Sequence, residues 1–165
     1  NAAIVNPSLI LGAGNWNTGS TAIFKKAYEE FPWYTPGITG SVDVLDLVDA
    51  MQLLMNSEVC GERFIISAEN ILYKDLFTKI AAAFHKRPPH KKVTPFLASI
   101  VWRLELLKSR LSNEKPLLTK ETANTAMAKV FFDNSKFLKF FPSFQYRRVP
   151  STIQRICTSL LAQIK

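Results

Sequence analysis

The glycine-rich segment near the start of the chain contains the residue types that hold phosphate groups in nucleotide-binding loops. It follows an apolar run and includes Gly12, Gly14 and Gly19. A dinucleotide-binding loop needs G-x-G-x-x-G, because its third glycine lets the next helix pack closely, and Asn17 occupies that place. The pattern G-x-x-x-x-G-K-[ST] accommodates Gly14 and Gly19, but Ser20 replaces the lysine that reaches the outer phosphates. The segment therefore matches neither phosphate-binding pattern.

Two acidic residues in the middle of the chain are also candidates for chemistry. Asp43 directly precedes a run with helical spacing, and Asp46 follows three residues later. An aspartate at this place can accept hydrogen bonds from the free amides of a helix start, and a second carboxylate stabilises the positive end of the helix dipole. Helix capping thus explains both carboxylates without catalysis.

The length and composition of the chain indicate one globular unit. It has 165 residues, of which 47% are hydrophobic, and this is enough for one core. No apolar run approaches the roughly 20 residues that span a bilayer, and no signal-peptide pattern opens the chain, so we expect a cytoplasmic protein without a membrane partner. Cys60 and Cys157 stand far apart in no metal-ligand spacing, so we expect both to be buried and reduced, with no metal site.

The net charge of +8 could attract nucleic acid, anionic lipid or a phosphorylated metabolite. Its densest basic run covers residues 85–92 and contains two prolines, which predicts a solvated link between helices rather than a groove-reading helix. Aromatic residues are not interleaved with these basic ones, as they are in single-strand-binding platforms. We expect no nucleic-acid partner, and keep as the alternative function a stand-alone basic binding module for nucleic acid or a phosphorylated ligand.

Strands and helices alternate in the first half of the chain. Apolar and β-branched runs predict strands, and the predicted ranges are 3–11, 41–44 and 63–67, the last with an exit loop over 68–70. Asn6-Pro7 interrupts the first of these, because proline is awkward in a strand that needs every ladder bond. Apolar residues at helical spacing predict helices, and the predicted ranges are 20–31, 44–55 and 72–84. Residues 33–40 form a turn-rich aromatic loop. This loop suits either the wall of a site for a flat or apolar ligand or a packed connection.

The second half of the chain is mostly helical in pattern. The predicted helices cover 94–111, 120–129, 135–141 and 150–164, with a brief strand over 130–132. The last helix carries a continuous apolar stripe, and its residues are Ile153, Ile156, Cys157, Leu160, Leu161 and Ile164. Because such a stripe is unfavourable in water, this helix must dock on the rest of the protein.

Four segments of the chain, in order, resemble successive signatures of one family of enzymes. Residues 6–14, N-P-S-L-I-L-G-A-G, are similar to a strand end N-P-x-x-x-x-G-P-G, and 41–51 are similar to a unit F-V-x-V-x-D-V-A-x-A. Residues 61–67 resemble the strand that follows, and 133–138 resemble a late D-x-S-K segment. The family is that of the extended short-chain dehydrogenase/reductases, or NAD-dependent epimerase/dehydratases, which includes dihydroflavonol-reductase-like members.

The resemblance has departures and one large gap. Ala13 stands where the family has proline, and Leu45 and Leu47 replace residues that are more often polar and valine. Family catalysis uses a tyrosine with a lysine four residues later, so that the ammonium lowers the phenol pKa and holds the cofactor ribose. No tyrosine here has such a lysine, since the residues at that offset are Pro32, Ile38, Phe77 and Pro150. We therefore expect no catalytic residue in this chain.

The resemblance implies an α/β fold, which as a fragment is mixed α+β. The chain is expected to be the C-terminal part of a Rossmann-type extended short-chain dehydrogenase with its mostly helical substrate-binding lobe, over residues 3–165. Residues 1–2 are expected to be a tag remnant, and the N-terminal dinucleotide-binding part is expected to be absent. The intact parent would use NAD or NADP, and we expect neither to bind this chain alone.

The resemblance also assigns roles to two groups of residues. Asn6, Pro7 and Ser8 would line the nicotinamide side of the cofactor, although a strand-end amide is the competing role for Asn6. The residues expected to enclose a small-molecule substrate are Gly12, Gly14, Asn15, Trp16, Thr18, Gly19, Trp33 and Tyr34, with parts of the helix over 92–111. Packing is the competing role for Trp16 and Trp33. A lobe without its cofactor half would expose apolar faces, so we expect a homo-oligomer.

Overall fold

The computed structural model describes residues 2–94 and 125–164, and the fold is mixed α/β. Its strands are short and pair in three small sheets. They are β1 (Ile4–Pro7), β2 (Leu9–Leu11), β3 (Trp33–Tyr34), β4 (Ile38–Asp43), β5 (Arg63–Ile66), β6 (Glu69–Leu72) and β7 (Lys91–Lys92). The helices are α1 (Thr21–Tyr28), α2 (Val44–Met55), α3 (Tyr73–Ala83), α4 (Ser135–Phe140) and α5 (Val149–Ile164).

Parallel pairing dominates these sheets. Strand β1 pairs with β5, β2 with β4, and β3 with β7, all in the parallel sense. Only β6 runs antiparallel to its neighbour β4. Because β2 and β4 are parallel, Leu11 and Asp43 lie side by side where these strands end.

The strand predicted over 3–11 divides next to its predicted interruption at Asn6-Pro7, because the chain changes partner at Ser8. Pro7 lies beside Ile66 as the last residue of β1, and the Ser8 amide donates to the Ile66 carbonyl over 3.0 Å. From Leu9 onward the chain pairs with β4 instead. Proline has no amide hydrogen to give to a ladder, so the strand divides beside it.

Two predictions about strands are wrong. Residues 68–70, expected as an exit loop, begin β6. Residues 130–132, expected as a strand, form none. The Asn70 side chain takes the place of a strand partner there, because its Oδ1 accepts from the Phe132 amide over 2.8 Å and its Nδ2 donates to the Phe132 carbonyl over 3.0 Å.

The helix predictions are largely confirmed where the structure describes the chain. Helix α1 is shorter than the predicted 20–31, and just beyond it Glu30 has a left-handed φ of 56°. Helix α4 ends one residue before the predicted limit. All but the first residue of the helix predicted over 94–111 and half of the one predicted over 120–129 lie outside the described residues.

The core consists of two apolar clusters. One lies between α1, α3 and α5, and its larger members are Leu11, Phe24, Leu76, Ile80, Ile153, Ile156 and Leu160. The other lies between the strands, α2 and α4, and its members are Val42, Ala50, Leu54, Phe64, Ile66 and Phe137. Phe64 and Phe137 meet edge to face with their ring centroids 5.8 Å apart.

The apolar stripe of α5 docks as its pattern predicts over most of its length. Ile153, Ile156, Cys157 and Leu160 are at most 1% exposed, whereas Leu161 is 38% exposed. Burial raises the pKa of the Cys157 thiol to about 12. The expectation that both cysteines are buried is wrong for Cys60, which is exposed in the segment that follows α2.

Candidate functional site

Strand β1 carries the residues expected on the cofactor side. Asn6 and Pro7 are exposed, and Ser8 is buried. The Ser8 hydroxyl has no hydrogen-bond partner among the described residues. Strand β1 pairs with β5 along one edge, and no described strand pairs with its other edge. Backbone groups along that second edge are thus available to another segment.

An apolar surface lies beside this edge. Helix α2 turns a series of large apolar side chains to solvent, and with their exposures these are Leu45 40%, Val48 44%, Met51 45%, Leu53 38% and Met55 81%. A cavity of about 380 Å³ lies where α2 faces β1, and Val5, Met51 and Leu54 are among its lining residues. We name this surface, Leu45 to Met55 of α2 together with β1, the β1–α2 face.

Most residues of the glycine-rich loop face solvent. Gly14, Asn15, Thr18 and Gly19 are exposed. The Asn15 Oδ1 accepts from the Asn17 amide over 2.8 Å, and Gly19 turns the chain with φ 58°. The Thr21 hydroxyl donates to the Gly12 carbonyl over 3.2 Å and so fixes the loop to the start of α1.

Trp16 turns inward from this loop. Its ring packs on Phe84 and Tyr28, with centroid distances of 6.1 Å and 5.8 Å. Its Nε1 is buried without a hydrogen-bond partner among the described residues. Trp16 therefore packs against the core cluster formed by α1, α3 and α5.

Trp33 and Tyr34 line an aromatic cavity of about 540 Å³. Its described lining residues are Ile23, Phe31, Trp33, Tyr34, Thr35, Tyr73, Phe77, Val93, Thr125 and Ala126. None of these side chains carries a charge. No residue of the glycine-rich loop is among them, so the structure brings Trp33 and Tyr34 together but not the loop residues expected beside them.

The sequence reasoning missed the helical contributions to this cavity. The sequence predicts neither Tyr73 nor Phe77 as a site residue. These two residues are four apart on one helix, so they share a face. Such an aromatic pair following an aromatic loop is the signal that could have indicated the cavity. Ile23 and Phe31, one within α1 and one just beyond it, gave no comparable signal.

Lysine side chains lie over several aromatic rings around the cavity. The Lys74 Nζ is 5.1 Å from the ring centroid of Tyr34, and the Lys91 Nζ is 5.5 Å from that of Trp33. Lys91 belongs to the basic run predicted as a solvated link; the last two residues of this run are exposed, as predicted, and they also pair with β3 as β7. These ammonium groups place positive charge beside two walls of the aromatic cavity.

The carboxylates of Asp43 and Asp46 are 2% and 0% exposed, and each is paired with an arginine from the last part of the chain. Asp43 caps α2 as predicted, with its Oδ1 accepting from the Leu45 amide over 2.9 Å. Burial favours the neutral form, but hydrogen bonds from Arg155, Leu45 and Thr152 outweigh it and lower the pKa of Asp43. For Asp46 burial dominates and raises the pKa despite its bonds from Arg147.

The described parts of the chain contain no group of three or more His, Cys, Asp or Glu side chains placed to hold a metal ion. Within residues 2–94 and 125–164, no helix has both the length and the apolar character needed to cross a bilayer.

Burial raises the pKa of the Tyr146 phenol to about 12, so this phenol stays protonated at neutral pH.

The fold is similar to that of solved epimerase structures. No protein-family model and no curated protein sequence matches the chain. Among solved structures, gox2253 is 24% identical, with a TM-score of 0.72, over 98% of this chain and 49% of its own. A nucleoside-diphosphate-sugar epimerase from Pseudomonas aeruginosa, PA4631, is 16% identical with a TM-score of 0.72, over 98% and 48% of the two chains.

A human protein shows the same similarity. The epimerase family protein SDR39U1, solved with NADPH, is 11% identical with a TM-score of 0.71, over 94% of this chain and 48% of its own. The chain thus spans about half the length of the solved structures that it matches. These comparisons establish an epimerase-type, Rossmann-like fold, and they do not favour the alternative of a basic binding module.

Proposed function

We propose that this chain is the C-terminal, substrate-binding portion of an NAD(P)-dependent epimerase, dehydratase or reductase of the extended short-chain dehydrogenase type. The observation that carries the proposal is that 98% and 94% of the chain match only 48% of two proteins named as epimerases, PA4631 and SDR39U1. The signature segments at 6–14 and 41–51 support the same family and favour a dihydroflavonol-reductase-like member.

The β1–α2 face supports the existence of a further part of the fold. Parallel strands are normally buried on both sides by neighbouring elements. In β1, however, Ile4, Asn6 and Pro7 are exposed, and one edge has no described partner. A dinucleotide-binding half that added a strand to β1 and covered α2 would pair the free edge of β1 and bury the exposed side chains of this face. In its absence the exposed face favours self-association of the chain.

The residues of this chain fit only one side of a nicotinamide cofactor. Asn6 offers an exposed amide at the β1–α2 face, and Ser8 carries an unpaired buried hydroxyl nearby. The glycine-rich loop lacks both phosphate-binding patterns, so this loop offers no cradle for the pyrophosphate. A bound nicotinamide would supply hydride transfer, and this chain would bind and orient the substrate next to it.

Calorimetric titration of NADH and NADPH into the purified chain tests the proposal. We expect no binding in the micromolar range, because the phosphate cradle and the Tyr-x-x-x-Lys pair are missing. Micromolar binding of either nucleotide by this chain alone would contradict the proposal. Sequencing the gene upstream of these codons is a second test. We expect that region to encode a G-x-G-x-x-G-type or similar glycine-rich segment and a Tyr-x-x-x-Lys pair.

A further inference from the structure

The aromatic cavity has the composition of a site for an apolar planar molecule. Five aromatic rings line it, and they belong to Phe31, Trp33, Tyr34, Tyr73 and Phe77. Its volume of about 540 Å³ falls within the range of small-molecule sites. Flat aromatic ligands gain from offset or edge contacts with such rings beyond the burial of their area.

The same lining argues against a sugar nucleotide in this cavity. Each sugar hydroxyl and each phosphate oxygen that leaves water must find a hydrogen-bond partner, or its burial is costly. The polar side-chain groups among the described lining residues are the hydroxyls of Thr35, Thr125, Tyr34 and Tyr73 and the Trp33 Nε1. Among the described lining residues there is no guanidinium, ammonium or amide side chain that could pair with a buried diphosphate.

Positive charge near two of the lining rings favours a ligand that carries an anionic group. The ammonium groups of Lys74 and Lys91 stand within about 5.5 Å of the centroids of two lining rings. Among the described residues, no carboxylate forms an ion pair with either lysine. An anionic group on a ligand that contacts these two rings would lie near two positive charges, which favours an anion over a neutral molecule of the same shape.

We infer that this cavity binds an aromatic carboxylate or a similar planar apolar anion, with the ring system against Trp33, Tyr34 and Phe77 and the anionic group near Lys74 and Lys91. The inference names the substrate class for the proposed function and rests on that proposal only in calling the ligand a substrate. Binding itself is measured without catalysis or cofactor.

Calorimetry on the full chain with three probes tests the inference. The probes are 2-naphthoate, its neutral isostere 2-naphthamide, and UDP-glucose. We expect 2-naphthoate to bind about tenfold more tightly than 2-naphthamide, the size of one modest charge interaction, and UDP-glucose to give no heat at the same concentrations. Equal affinity for the two naphthyl probes, or tighter binding of UDP-glucose, would overturn it.

Two further measurements locate the binding. Methyl chemical shifts of Ile23 and Val93, which line the aromatic cavity, should move on addition of 2-naphthoate, while those of Leu54 and Val59, which line the cavity beside β1, should not. The double variant Lys74→Met, Lys91→Met should remove the preference for naphthoate over naphthamide. The matched variant Lys79→Met, Lys129→Met makes the same change in net charge at exposed sites and should retain it.

These outcomes separate the two proposals. If naphthoate fails to bind or shifts only the methyl groups beside β1, the ligand assignment is wrong and the proposed function stands. If NADH binds the chain alone at micromolar concentration, the proposed function is wrong whatever the naphthyl probes show.

Discussion

The Arg155 Nη2 lies 2.6 Å from Oδ1 and 2.8 Å from Oδ2 of Asp43, and this contact joins helix α5 to the end of strand β4. The Thr152 hydroxyl, one turn earlier on α5, donates to Asp43 Oδ2 over 2.7 Å. The capping carboxylate of α2 is thus also the anchor of the last helix. Asp46, one turn along α2, meets Arg147 in the segment before α5.

Replacing these two aspartates should have unequal effects on stability. Asp43→Asn weakens three sets of hydrogen bonds to a buried, charged acceptor, and we expect it to lower the free energy of unfolding by about 1–3 kcal/mol. Asp46→Asn should cost less, because burial already disfavours the charged form of Asp46 and raises its pKa. Urea unfolding of both variants and the parent chain measures the difference; an equal or larger loss in Asp46→Asn would contradict this ranking.

The stabilities of the Asp43→Asn and Asp46→Asn variants should also depend differently on pH. Because the folded-state pKa of Asp43 is lowered, its contribution is complete above the unfolded value of about 3.9 and disappears as the pH falls through the folded value. The cost of Asp43→Asn should therefore shrink below about pH 4. Asp46 has a raised folded-state pKa, so its protonation favours the folded state as the pH falls through that value towards about 3.9. The relative stability of Asp46→Asn should therefore decrease over that range.

Gly40 lies where three other segments of the chain approach its backbone closely, so we expect alanine to be unfavourable at this position. A Cβ there would lie 2.5 Å from the Ser67 Oγ, 2.7 Å from the Phe132 Cδ2 and 2.8 Å from the Ser8 Cβ. We expect Gly40→Ala to destabilise the fold by about 1–3 kcal/mol through overpacking, as measured by thermal and urea unfolding. Adding Ser67→Ala removes the nearest atom and should restore part of the loss.

A matched glycine change serves as the control for that experiment. A Cβ on the exposed Gly14 would meet only the Thr21 Oγ1, at 3.2 Å, among the described residues. Gly14→Ala should change stability by less than about 0.5 kcal/mol. Comparable losses of stability in Gly40→Ala and Gly14→Ala, or no recovery of stability on adding Ser67→Ala, would show that the close contacts around Gly40 do not limit packing.

The Asn70 side chain should hold residues 130–132 against the sheet. Asn70→Ala removes an acceptor and a donor for the Phe132 backbone, and for these exposed bonds we expect a loss of about 1 kcal/mol. Hydrogen exchange of the Phe132 amide should become faster in this variant. Asn70→Asp keeps the acceptor and should protect that amide better than alanine does. An unchanged exchange rate of the Phe132 amide in Asn70→Ala would argue against this role of the Asn70 side chain.

The two cysteines should react at very different rates. Cys60 is exposed, whereas Cys157 is 1% exposed and burial raises its pKa to about 12, which removes the reactive thiolate at neutral pH. We expect a disulfide reagent such as Ellman's to label one thiol per folded chain and the second only on unfolding. Cys60→Ser should abolish the fast reaction, and a fast reaction that survived it would place Cys157 at the surface.

The β1–α2 face should drive self-association of the isolated chain. Val48 and Met51 are 44% and 45% exposed on one side of α2, and Val48→Glu with Met51→Lys makes this patch polar without changing the net charge. We expect sedimentation to show a concentration-dependent oligomer for the parent chain and a monomer for the double variant. Phe131→Ser removes a 68% exposed side chain elsewhere and should leave association unchanged. A parent chain that stays monomeric at high concentration would contradict this prediction.

The sequence by itself determined the elements whose causes are local. The cap of α2 at Asp43 and the buried stripe of α5 from Ile153 to Leu160 follow from residue types at fixed short spacings, and the structure confirms both. The Rossmann-like fold was implied by the resemblance of four signature segments to a known family, and the solved structures that the chain matches support that fold. A helix period or a capping residue acts within a few positions along the chain, so one sequence is enough to recognise it.

Only the tertiary structure decided which distant residues meet. Asp43 and Arg155 are 112 positions apart, and Asn70 and Phe132 are 62 apart, so no local spacing indicates either contact. The division of the first strand at Ser8 depended on two different partner strands, and the aromatic cavity depended on α3 approaching Trp33 and Tyr34. Pairing and packing energies arise between segments brought together by the whole fold, and the local pattern of any one segment does not contain them.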